Sequence, residues 1–160
     1  MKIRTLWVGR RSANPYEKQI ETYRKRVQRR WPAEDIAIKS VAGGRDKDPR
    51  RALGREAEAM LQNHQAGWRL VALDERGTQR DSTDFARWLN GFAETGDAGL
   101  VFAIGSDLGL DARVLDASCE RISLSKMTLP HLLARLVLWE QLFRATSILS
   151  GGAYHRGFVQ

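Results

Sequence analysis

Leu100-Val101-Phe102-Ala103-Ile104, closed by Gly105, is the stretch on which the fold turns. It shows no alternation between a wet and a dry side, so it reads as a strand covered on both faces. Leu70-Val71-Ala72-Leu73 has the same character and is broken by the turn Asp74-Glu75-Arg76-Gly77. Three further strands are expected at Ile3 to Val8, Ile36 to Val41 and Arg121 to Leu124. Helical periods lie between them. Tyr16, Ile20, Tyr23, Val27 and Trp31 form one stripe, with Asn14 as cap, Pro15 at the first helical position and Glu17 at capping-box spacing. A second helix carries Leu53, Ala57, Met60, Leu61 and His64 on one side. A third, capped by Ser82, carries Phe85, Trp88, Leu89 and Phe92. Asp111 to Cys119 is expected to be helical, as is Pro130 to Leu149, which stops at Gly151-Gly152. Buried strands separated by helices define an α/β fold with a mostly parallel sheet and helices on both faces. Residues 1–160 are read as a single domain, with Gly43 to Pro49 as a flexible charged loop inside it.

Of the 160 residues, 42% are hydrophobic and 28% charged, the balance of a soluble globular chain. One cysteine, Cys119, excludes an internal disulfide and any multi-cysteine metal cluster, and is expected in the core. His64, His131 and His155 have no cysteine or carboxylate at ligand spacing, so no metal is expected. His64 reads as a buried structural side chain. No phosphate-cradling P-loop and no G-x-G-x-x-G follows a strand. Met1-Lys2-Ile3-Arg4 leads into a short strand and Gly9-Arg10-Arg11 rather than an apolar signal, and Ala98 to Ile104 is too short to span a bilayer. The expectation is a cytoplasmic protein with no membrane partner.

The charge is uneven. The chain carries a net +7, yet residues 1–30 hold ten basic and two acidic side chains, and residues 71–160 are slightly acidic at 9 against 11. A basic part, about 1–70, is thus joined to a nearly neutral one, about 71–160. This points to a polyanionic partner, nucleic acid before membrane. Arg24, Lys25, Arg26, Arg29 and Arg30, around the first helix's apolar stripe, are the candidates for RNA backbone contact. Their plain alternative is a solvated face.

The last helix carries Leu132, Leu133, Leu136, Val137, Leu138, Trp139, Leu142 and Phe143, far more than one stripe. Such a helix must be buried on two sides, and one covering layer is expected to be a second copy of the protein, the alternative being a helix sandwiched inside one chain. Glu140 and Arg144 stand at ion-pair spacing. Ala153-Tyr154-His155-Arg156 joins an aromatic ring, an imidazole and a guanidinium, a set suited to stacking on a base and meeting a phosphate.

Leu124-Ser125-Lys126-Met127-Thr128-Leu129-Pro130-His131, then Glu140-Gln141-Leu142-Phe143-Arg144-Ala145, then Tyr154-His155, together resemble the RlmH family. These are 23S rRNA pseudouridine-N3 methyltransferases of the SPOUT superfamily. Val71-Ala72-Leu73-Asp74 with Gly77, Ile104-Gly105 with Gly109-Leu110, and Val8-Gly9 extend the likeness over the whole chain. The resemblance implies a C-terminal deep trefoil knot, a homodimer, and S-adenosylmethionine held at Leu73, Gly105, Leu124, Ser125, Lys126, Met127, Thr128 and Leu129. It further implies methyl transfer to N3 of a pseudouridine in the helix-69 loop of 23S rRNA within the ribosome. His155 is the first candidate proton acceptor and His131 the second. Arg144 would stabilise developing negative charge, and Tyr154 would pack on the base. The chain departs from the family at Ser106, where a second glycine is usual, at Ala153, where proline is common, and in its extension Gly157-Phe158-Val159-Gln160. Two rival readings are another SPOUT methyltransferase acting on transfer RNA or a different ribosomal position, and a non-catalytic RNA-binding module.

Overall fold

The chain is described from a computed structural model, over residues 1–39 and 48–154. Among these residues β1 (Lys2–Val8), β2 (Ala33–Ile38), β3 (Arg69–Gln79), β4 (Gly99–Ile104) and β5 (Glu120–Ser123) form one sheet in the order β2-β1-β4-β3-β5. Every pairing in it is parallel. The helices are α1 (Glu17–Val27), α2 (Pro49–Asn63), α3 (Ser82–Glu94), α4 (Ala112–Ala117) and α5 (His131–Leu149).

β4 is buried along its whole length. Leu100, Phe102 and Ile104 enter the core beneath α1, α3 and α5, while Val101 and Ala103 enter the one beneath α2 and α4. The two-faced burial expected from the strand's composition is therefore literal. α5 lies between α1 and α3, with Leu138, Trp139, Leu142 and Ala145 wholly buried. Leu133 and Val137 stay half-exposed and join neither core.

Several expectations shift for identifiable reasons. Pairing with β1, from Ile3↔Ala33 to Val8↔Ile38, places β2 earlier than Ile36 to Val41; Val41 lies outside the described residues, as does most of the Gly43 to Pro49 loop. Asn14 does not cap α1: its Oδ1 accepts from Tyr16 N–H at 2.9 Å in the turn ahead of the helix, which starts at Glu17, so Pro15 also lies before it. The regular helix ends at Val27, so Trp31 is buried beyond it rather than on its stripe. Asp81, not Ser82, caps α3 by accepting from Asp84 N–H at 2.8 Å. Ser82 instead donates to Gln141 on α5. Asp74 to Gly77 does not end its strand. Leu73 and Thr78 both pair with Ile122, and the residues between them arch out as a bulge. Cys119 is exposed, not core, because it sits in the turn between α4 and β5 with only its N–H held, by Leu70 O.

The strand order places the site. From β3 the chain turns toward one face through α3, and from β4 toward the other through α4. That divergence opens a crevice at the C-terminal ends of β3 and β4, where open parallel sheets bind ligands.

Candidate active site

The crevice is a cavity of about 870 Å³ at the C-terminal ends of β3, β4 and β5, closed below by the start of α5. That is room enough for a ligand of cofactor size. Leu73, Ile104, Ile122, Leu124 and Leu129 give it apolar walls. Asp74, Glu75, Arg76, Asp107 and His131 supply polar groups along its rim. Of the expected cofactor positions, Leu73, Gly105, Leu124, Ser125, Met127, Thr128 and Leu129 all line it; Lys126 does not, and its side chain is exposed.

Short-range bonds shape the lining. In the segment after β5, Ser123 Oγ donates to Ser125 O at 2.7 Å, Ser125 Oγ accepts from Met127 N–H at 2.9 Å, and Thr128 Oγ1 donates to Glu75 Oε2 at 2.9 Å. The last bond ties this segment to the arch between Leu73 and Thr78. Gly77 lets that arch lie directly on β5: a Cβ there would stand 2.6 Å from the backbone of Arg121 and Ile122. Gly105 is needed for a similar reason. A Cβ there would meet Gly109 O at 2.2 Å, so its missing side chain serves the closure of its own turn. Gly109 N–H bonds back to Ser106 O at 2.9 Å to complete it.

A second group lies at the opposite end of α5. Arg144 Nε and Nη2 donate to Glu140 Oε1 at 3.0 and 2.5 Å, the ion pair expected from their spacing. Tyr154 folds back onto them, its ring 4.5 Å from that of Phe143 and 4.8 Å from the Arg144 guanidinium, and its O–H donating to Glu140 at 3.2 Å. Burial first, then Tyr23 and Glu140, push the Tyr154 hydroxyl up to about 12, so it stays protonated at neutral pH. His155 lies outside the described residues. Ten residues of helix separate Ala134, on the cavity wall, from Arg144, about 15 Å along the axis. The structure thus brings Arg144 and Tyr154 together, but not to the cavity of the same chain.

Lys25, Arg26, Arg29 and Arg30 are exposed on and just after α1. Arg26 lies over the Phe143 ring, and Arg30 reaches Ser150, so this basic surface adjoins the Tyr154 group. Arg24 differs: its guanidinium bonds Glu21 and Ala33 O, ties that hold α1 to β2.

Sequence reading missed the most buried polar group. Arg135 and Asp35 have wholly buried side chains paired at 2.6 Å, and Arg135 Nη1 also donates to Glu17 at 2.7 Å. Its guanidinium lies 3.8 Å from the Trp7 ring centre. Asp35 also accepts from Thr5, Trp7 and Trp139. Burial pushes the Asp35 carboxyl up, but the bonds and charge of Arg135 and the donors Thr5 and Trp139 outweigh it and hold it below the usual carboxylate range. The available signal was an arginine inside the apolar run of the last helix. The network fixes the first turn of α5, whose His131 and Ala134 face the cavity.

A parallel sheet with its crevice at a strand-order reversal, floored by a buried C-terminal helix, is an architecture shared by cofactor-binding α/β enzymes. The family model described as "Predicted SPOUT methyltransferase" matches residues 1–155. The chain belongs to the SPOUT methyltransferase family. Within it, the chain is 41% identical over 157 residues to the ribosomal RNA large subunit methyltransferase H of Anaeromyxobacter sp. (strain Fw109-5), covering 98% of this chain and 100% of that protein. It is 36% identical over 156 residues to the protein of the same name from Trichlorobacter lovleyi, covering 97% and 99%. The solved structure of "a probable methylase family protein" from Haemophilus influenzae Rd KW20 shares the fold, with a TM-score of 0.53 and 11% identity over 99% of this chain and 72% of that one.

Proposed function

We propose that this chain transfers a methyl group from S-adenosylmethionine to N3 of a pseudouridine in the helix-69 loop of 23S rRNA, acting as a homodimer on assembled ribosomes in the cytoplasm. The observation that carries this reading is the cavity, where seven of the eight cofactor positions implied by resemblance converge on one crevice. Its size, its apolar walls and the close-packed Gly105 turn fit a nucleoside cofactor. Leu73 and Leu129 would enclose the adenine, with backbone groups of the Leu124 to Leu129 segment recognising its edge. Asp74 and Glu75 place negative charge beside a cationic ligand. When bound, the cofactor supplies an electrophilic methyl; the sulfonium–methyl bond breaks as the N3–methyl bond forms and the N3 proton leaves.

The chain's own residues would position the base and handle that proton. Tyr154, held protonated, packs on the base and donates a hydrogen bond rather than accepting the proton. Arg144 balances charge developing on the ring, and His155 is the first proton acceptor to test, with His131 second. Because Arg144 and Tyr154 sit a helix length from the cavity, a complete site needs a second copy. The half-exposed Leu133 and Val137 give α5 an apolar strip for it. Lys25, Arg26, Arg29 and Arg30 would meet rRNA phosphates beside the Tyr154 group, with Arg24 bracing the helix. We also read the segment after β5 as part of a deep trefoil knot. The contact of Gly77 with the β5 backbone and the Thr128–Glu75 bond support this.

The test is methylation of ribosomes lacking the modification, compared with free rRNA, large subunits and transfer RNA. Mixed dimers of Gly105→Val with Arg144→Ala should regain activity that neither variant has alone. Methylation of transfer RNA only would overturn the substrate, and failure to bind S-adenosylmethionine by calorimetry would overturn the enzyme reading.

A further inference from the structure

The turn from Gly105 to Gly109 carries two polar side chains, Ser106 and Asp107, and each of them has a partner on a different element. Ser106 Oγ donates to Glu56 Oε2 at 2.9 Å and accepts from Leu108 N–H at 3.3 Å. Glu56, on α2, is 97% buried by residue surface, among Val8, Leu53, Ala57, Met60 and Val114. A carboxylate in such surroundings requires donors, which draws the Ser106 hydroxyl inward. At the other side of the turn His131 Nδ1 donates to Asp107 Oδ1 at 2.8 Å, joining the rim of the cavity to the first residue of α5. The turn is therefore tied behind by a hydrogen bond to a buried side chain and in front by one to a mostly exposed side chain.

We propose that Ser106, through Glu56, and Asp107, through His131, are positioning residues that hold the Gly105–Gly109 turn in the shape that receives the cofactor. This rests on the reading of the cavity as the S-adenosylmethionine site. A turn bounded by glycines has many states to lose on binding, and tethers that remove those states beforehand raise affinity without touching the ligand. The buried tether outweighs the exposed one, because water screens the Asp107–His131 pair.

The readouts are the dissociation constant for S-adenosylmethionine by calorimetry, kcat at saturating cofactor, and Tm. Ser106→Ala should weaken binding about tenfold, equivalent to about 1.4 kcal/mol, with kcat within about twofold of the parent. Ser106→Thr keeps the hydroxyl and should restore binding. Asp107→Ala should weaken binding about threefold. An unchanged dissociation constant in Ser106→Ala with a lower Tm would reduce Ser106 to a stability role and overturn the proposal, as would failure of Ser106→Thr to restore binding. If the parent protein binds no S-adenosylmethionine, the cavity reading falls on its own. The tether is then read from amide exchange at Leu108 and Gly109: faster exchange in Ser106→Ala supports it, and unchanged exchange removes it.

Discussion

Replacing Arg135 by methionine keeps an unbranched apolar stem and deletes the guanidinium and its charge. Four guanidinium bonds are lost: to Asp35 at 3.1 and 2.6 Å, and to Glu17 at 2.7 and 3.2 Å. Breaking a buried pair by removing one partner costs about 3–5 kcal/mol, because the other charge is left in the interior. Two features move the expectation to the low end. Arg11 still reaches Asp35 Oδ2 at 2.9 Å, and Thr5, Trp7 and Trp139 still donate to the carboxylate. Glu17 is partly exposed, so its share is small. The expected loss is about 3 kcal/mol, a fall in Tm of about 6–12 °C for a chain of this size. Both carboxyls are held below their ordinary values in the folded protein. For Glu17 burial opposes the shift, and bonds and charge from Arg135 and Arg11 overcome it. A lowered carboxyl adds stability that is complete above its unfolded value, about 4, and is lost as pH falls through the folded one. The gap between parent and Arg135→Met should therefore be constant from about pH 5 to 7 and narrow below about pH 4. Adding Asp35→Asn to Arg135→Met should recover part of the loss, since an amide strands no charge and its one oxygen can still accept from Thr5 and Trp139. Urea denaturation across pH measures all three. A loss below about 1 kcal/mol at pH 7, or a gap that persists unchanged to pH 3, would refute the account of a desolvated, mutually neutralising network.

Other expectations follow from the cavity and the basic helix. Gly105→Ala drives a methyl onto the Gly109 carbonyl and should abolish cofactor binding, seen by calorimetry, while far-ultraviolet circular dichroism stays that of the parent. Replacing Lys25, Arg26, Arg29 and Arg30 by glutamine should lower the slope of log affinity against log salt by up to about 3 in ribosome binding. Arg24→Gln should leave the slope and lower Tm instead, because its guanidinium bonds Glu21 and Ala33 O. Tyr154→Phe should reduce methylation only a few-fold with no new basic limb in the pH–rate profile below about pH 9, since a hydroxyl pushed up to about 12 is not the group that titrates there. A limb near neutrality that vanishes in His155→Ala would identify the proton acceptor.

How much was legible varied with the range of the interactions involved. β4 was readable because an unbroken apolar run has one solution in a small α/β domain. Much of the cavity lining was readable because Leu124 to His131 is a long contiguous motif. Glu56 and Asp107 were not, since their partners Ser106 and His131 stand 50 and 24 residues away. Asp35 and Arg135, 100 residues apart, give no local sign of each other. Cys119 was misplaced for a related reason: hydrophobic character suggests a core position, but the turn before β5 points it outward.

By itself the sequence determined the element types, the α/β class, the basic N-terminal part and the motif of the site, all properties of near neighbours and periodicity. Tertiary structure alone decided the strand order, and hence that β3, β4 and β5 share one crevice. It also decided which charges are neutralised in the interior and that Arg144 and Tyr154 lie a helix length from the cavity. Those outcomes depend on which distant segments exclude water from one another, and only the folded chain brings them close enough to do so.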